Sequence, residues 1–178
     1  WRELAGAGLL GLALPEEHGG GGFGILELCI LLEEVGRALA PVPVFPTLAL
    51  AGLAIAEFGN DEQKARYLSA LVSGELVATA ALEEEGRSDP AHPRLRAGRD
   101  GKGWALSGAK ECVAAAHLCG LVLLPAMTDE GVTVFLLDPG TEGVELERQQ
   151  TLDHDAQSRM ILSGLRVGTD QVLGEPGA

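Results

Sequence analysis

Cysteine is scarce in this 178-residue chain: Cys29, Cys112 and Cys119 are scattered, with no CxxC pair. So few thiols exclude a disulfide framework, and a reducing cytoplasm is the expected setting. Histidine is equally thin. His18, His92, His117 and His154 form no His/Cys cluster at metal-ligand spacing, so no metal site is expected. Lysine and arginine number 13 against 26 acidic residues, a net charge of −13, and no basic run exists. Nucleic acid therefore has no electrostatic footprint to meet, and an anionic membrane surface would repel the chain. No apolar run is long enough to span a bilayer, and no basic segment opens a signal peptide. Ser107, Ser158 and Ser163 lack a recognisable His/Asp constellation, which leaves nucleophilic catalysis unsupported.

What is present is a globular composition, 46% hydrophobic and 22% charged, in two halves of different period. In "ILELCILLEEVGRALA" the residues Ile25, Leu28, Cys29, Leu32, Val35 and Leu39 recur at intervals of three and four, the apolar stripe of an amphipathic helix. "APVPVFP" stops it, since successive prolines cannot continue a helical ladder. Thr47 is the expected N-cap of the next helix, which runs to Gly59. Asn60, with Gln63 at capping-box spacing, opens another that ends at Gly74. A shorter helix is expected around Arg2 to Leu10. After Gly74 the texture becomes short apolar runs, from "ELVATAAL" to "SRMILSGLRV", separated by turn signals such as "DGKG", "TDEG" and "DPGTEG". The expected fold class is α+β: a helical domain over residues 1–76, then a small antiparallel β-barrel or sandwich over 77–178. The opening at Trp1, without Met, and the ending "LGEPGA" give the expectation of a piece of a longer chain.

The stretch "ALEEEGRSDP" poses the chemical question, because Glu83, Glu84 and Glu85 stand at a junction between strand and loop. Three carboxylates can supply a general base, although adjacent acids are more commonly a solvated rim. Ser88 and Asp89 can cap a turn or hydrogen-bond a ligand. "ALPEEHGGGGFG" follows no strand and has no Lys-Ser/Thr ending, so it reads as a connector rather than a phosphate loop. Cys112 and Cys119 read as small buried apolar groups.

Taken in order, these pieces resemble the acyl-CoA dehydrogenase family. "WRELAGAGLLGLALPEEHGGGG" is similar to that family's N-terminal stretch, and "GNDEQKARYLSALVSGEL" to one of its next helices. "WALSGAKECVAAAHLCGLVLLPA" is similar to its β-domain segment, and "TLDHDAQSRMILSGLRVGTDQVLGEPGA" to its later strand and ending. The resemblance implies an N-terminal helical domain, a middle β domain and a further helical bundle that lies outside this sequence. It implies FAD as cofactor and an acyl-CoA thioester as substrate, dehydrogenated across its α,β bond, in a soluble flavoprotein oxidoreductase of lipid metabolism. The base belongs to the bundle, so no catalytic residue is assigned here.

"AALEEEGRSD" falls where the family has a hydroxyl beside the flavin ring. Leu82 keeps the backbone position, Glu83 replaces that hydroxyl, Glu84 matches the motif's acid, and Ser88 lies toward the CoA phosphates. In the second flavin motif Cys112 stands in the aromatic position and Ala114 in the hydroxyl position. Leu82, Glu83, Cys112 and Ala114 are thus the expected FAD-edge residues, with Ser88 toward the substrate. Family members also assemble as homo-oligomers or as pairs of unlike subunits in which one chain alone has an intact flavin site. The alternative reading is therefore a flavin-deficient structural subunit of a heteromeric acyl-CoA dehydrogenase. A third is a flavin oxidase or monooxygenase on the same fold.

Overall fold

The computed structural model describes residues 1–86, 89–152 and 155–177. Trp1–Ala78 make one compact unit, and the chain from Thr79 onward makes a second.

The first unit is helical: α1 (Arg2–Gly6), α2 (Ile25–Arg37), α3 (Leu53–Phe58) and α4 (Asp61–Val72). At the start of α4 the capping box forms in both directions. Asn60 Oδ1 accepts from the Gln63 amide at 2.8 Å, and Gln63 Oε1 accepts from the Asn60 amide at 3.2 Å. Two orphan donors of the first turn are satisfied reciprocally. Thr47 is not a cap. Helical winding begins earlier, and Phe45–Gly52 is a π-helical stretch that leads directly into α3. Pro46 lacks an N–H in its first turn, and the Leu53 amide reaches five residues back to the Leu48 carbonyl. Thr47 is fully buried there, its hydroxyl donating to Ala78 O at 3.0 Å. On α2 the buried stripe is narrower than the period suggests. Leu28 and Leu31 are buried, whereas Ile25 and Cys29 are exposed, as are Leu26 and Ile30; Leu39, also exposed, lies beyond the helix end.

The second unit is a single sheet ordered β6-β7-β3-β2-β4-β5-β8, with β1 beside β4. Its strands are β1 (Ala78–Ala80), β2 (Arg96–Asp100), β3 (Gly103–Ala114), β4 (Leu121–Thr128), β5 (Gly131–Leu137), β6 (Val144–Gln149), β7 (Gln157–Val167) and β8 (Val172–Leu173). Seven short apolar runs read as strands in the sequence; β8 is an eighth, two residues long, too short for a period to register. The β2–β4 pair departs from the antiparallel expectation: the two run parallel, registered at Arg96 and Met127. In the core, Trp104 and Phe135 meet edge to face, 5.4 Å between centroids. Arg99 lies over the indole at 4.2 Å, so its guanidinium covers the outer face of a ring that is itself 2% exposed.

What positions the site is an irregularity in β3. Lys110 pairs with Met160 and Val113 with Ser158, so β3 takes three steps where β7 takes two. The extra residue is a β-bulge, and Cys112 within it has φ +51°. A left-handed backbone is uncommon for a residue with a Cβ. Here it turns the Cys112 thiol outward; the residue is exposed, which corrects the expectation of a buried apolar cysteine. Cys119 is the half-buried one. Its Sγ donates to Ala115 O at 3.2 Å, and burial pushes its thiol up to about 12, leaving it a protonated packing group.

Candidate functional site: an acidic cleft beside the bulge

The turn after Ala81 and the bulged end of β3 lie side by side. The Glu111 amide donates to Glu83 O at 2.9 Å, an isolated antiparallel bridge between segments distant in sequence. Between them opens a cleft of about 540 Å³. The turn contributes Glu83, Glu84, Glu85 and Gly86, and β3 contributes Glu111 and Cys112. Glu147, Arg148 and Gln149 of β6 and Arg159 of β7 complete the lining. Five carboxylates thus face two guanidinium groups.

The three consecutive glutamates have different environments, and the middle one is no solvated rim. Its side chain is 6% exposed and meets Lys110 Nζ at 2.7 Å, a lysine side chain with no exposure at all. The Glu84 carboxylate also accepts from the amides of Arg94 (2.6 Å) and Leu95 (3.1 Å). Burial pushes the Glu84 carboxyl up, but the hydrogen bond from Lys110 and the two amides outweigh it and hold it below the ordinary carboxylate value. For Lys110 burial dominates and pushes the ammonium down, opposed by Glu84 and more weakly by Glu83. A carboxylate with three donors already on it is a structural pin and a poor proton acceptor. Glu84 clamps the loop leading to Arg94 and Leu95 onto β3 immediately before the bulge.

Across the cleft a polar network spans the three strands. Alternation along β6 puts Glu147 and Gln149 on one face, opposite Arg159 and Gln157 of β7. Arg159 Nε lies 2.8 Å from Glu111 Oε1, and its Nη1 lies 3.7 Å from Glu147 Oε2. Gln149 Nε2 donates to Glu111 Oε2 at 2.9 Å, while Gln149 Oε1 accepts from the backbone amide of Cys112, also at 2.9 Å. The one amide that the bulge turns outward at Cys112 is therefore already taken by a side chain of the same protein.

Of the residues singled out from sequence, the structure brings Glu83 and Cys112 to this cleft. Leu82 and Ala114 are partly buried and are not in its lining. Ser88 lies outside the described residues. Lys110, Glu111, Gln149 and Arg159 were not singled out. Lys110 carried a signal, a charge in phase with Trp104 and Leu106 on the inward face of β3. Gln149 and Arg159 carried none, since they meet Glu111 only through the strand register. Among the described residues no group of three or more His, Cys, Asp or Glu side chains could hold a metal ion.

The family is settled by comparison with known proteins. Residues 1–75 match the acyl-CoA dehydrogenase N-terminal domain, and residues 78–164 match the acyl-CoA dehydrogenase middle domain. The chain belongs to the acyl-CoA dehydrogenase family. It is 34% identical to acyl-CoA dehydrogenase FadE27 of Mycobacterium tuberculosis over 98% of its own length and 46% of that protein's. Among solved structures it is similar to the Tcur3481-Tcur3483 steroid ACAD G363A variant, at 45% identity and a TM-score of 0.91, covering 99% of this chain and 48% of that one. The ChsE4-ChsE5 complex from Mycobacterium tuberculosis is 34% identical, with a TM-score of 0.91, covering 99% and 47%. A glutaryl-CoA dehydrogenase from Mycobacterium smegmatis in complex with FADH2 is 27% identical, with a TM-score of 0.84, covering 97% and 46%. The chain spans about half the length of the curated relatives it matches.

Set against a flavin, the cleft's own chemistry is unfavourable. Among the described residues its lining holds no hydroxyl and no aromatic ring. Its bulge amide is engaged by Gln149, and its charge is of the sign that opposes an anionic reduced ring. These residues do not fit the group.

Proposed function

We propose that this chain forms the N-terminal and middle portions of a subunit in a hetero-oligomeric acyl-CoA dehydrogenase. The assembly removes two hydrogens across the α,β bond of an acyl-CoA thioester, and the FAD it uses is held by a related partner subunit rather than by this cleft. The observation that carries the reading is the hydrogen bond from the Cys112 amide to Gln149, in a cleft lined by five carboxylates. Two missing hydroxyl contacts alone are worth on the order of 1–3 kcal/mol together, about a factor of ten to a hundred in affinity. The paired names of the steroid ACAD and of the ChsE4-ChsE5 complex support a heteromer. The 45% identity to the steroid ACAD favours an acyl group carried on a steroid.

In this reading the chain's residues shape the assembly and leave proton transfer to another part of it. Glu84 is held ionised by Lys110 and two amides. Glu111 is held by Arg159 and Gln149. Glu84, with three donors on its carboxylate, is a poor acceptor of a proton from a substrate. The test is the visible absorbance of the full-length protein, purified alone and then with an intact family member, each with added FAD and then anaerobic acyl-CoA. Flavin bands in the pair alone, bleached by a steroid-borne acyl-CoA, are the expected result. A full-length chain that turns yellow by itself and bleaches with substrate overturns the reading in favour of an independent flavoenzyme.

A further inference from the structure

We draw no further inference here: the strongest candidate, the exposed apolar row of Phe23, Ile25, Leu26 and Ile30 leading into and along the first turns of α2, is an unpartnered surface patch, and nothing in the structure shows what covers it.

Discussion

The helical unit and the sheet unit hold their polar groups by different means. In the first, the hydrogen bonds that set element boundaries are local: Asn60 with Gln63, and the Gly24 amide with Glu27, each three residues apart. In the second, the bonds that make the cleft join distant residues. Lys110 meets Glu84 across 26 positions, and Gln149 meets Glu111 and Cys112 across 38 and 37. Local bonds fix where a helix starts and form within a single turn of chain. Distant ones exist only once the strand register is set, and the Glu84–Lys110 pair is almost wholly buried. Disturbing the two kinds should have different costs.

The largest effect is expected at the buried pin. Lys110→Met leaves the Glu84 carboxylate buried without its counter-ion, a loss of about 3–5 kcal/mol. Urea unfolding followed by tryptophan fluorescence reads it, and the double variant Glu84→Gln with Lys110→Met should recover a large part. A single variant as stable as the parent would mean that the two amides of Arg94 and Leu95 suffice alone, and that the sheet unit is no more committed than the helical one. Acid should probe the same pin. The folded Glu84 carboxyl lies below its unfolded value of about 4.3. Its stabilisation is therefore fully present above that pH and is lost as the pH falls through the lower folded value. The Glu84→Gln protein should show a shallower decline over that interval in a pH series of unfolding midpoints.

In the helical unit the corresponding change is smaller. Asn60→Ala removes one side of the capping box and should cost about 1 kcal/mol, read by urea unfolding, with Asn60→Asp retaining most of it. A loss as large as that of Lys110→Met would erase the contrast between local and distant bonds. The smallest effect is at the bulge. Cys112→Gly relieves the left-handed backbone but loosens the unfolded chain, so the net gain should be about 1 kcal/mol or less. A destabilised glycine variant would show that the Cys112 side chain does more for the bulge than the strain it brings.

The same contrast explains what was legible in the sequence. The α+β class, the capping box at Asn60 and the turn-separated strands could be read because each rests on neighbours a few residues apart. The resemblance named Glu83 and Cys112 as FAD-edge residues, and in the structure both line one cleft. Thr47 misled because Pro46 permits helical winding to begin before it, so a residue with capping chemistry became a buried donor. Cys112 misled because free cysteines are usually buried, and the extra residue of the bulge turns this one outward. Glu84 looked like its neighbours because only the fold reveals that Lys110 is waiting inside. Gln149 could not have been found by period or motif, since its role is fixed by two strand registers at once.

The position of β6 bears on how copies of the protein behave in each other's presence. Among the described residues β6 has β7 on one side and no strand on the other, the position in a sheet at which pairing with a second chain is a hazard. Glu145 and Glu147 are exposed along it, with Arg148 beside them. A second β6 laid antiparallel against the first would bring these carboxylates face to face across the new ladder, and like charges directly opposed are destabilising. The acidity that makes the cleft a poor home for a flavin continues along this strand, where it guards the sheet against growing outward into a fibre.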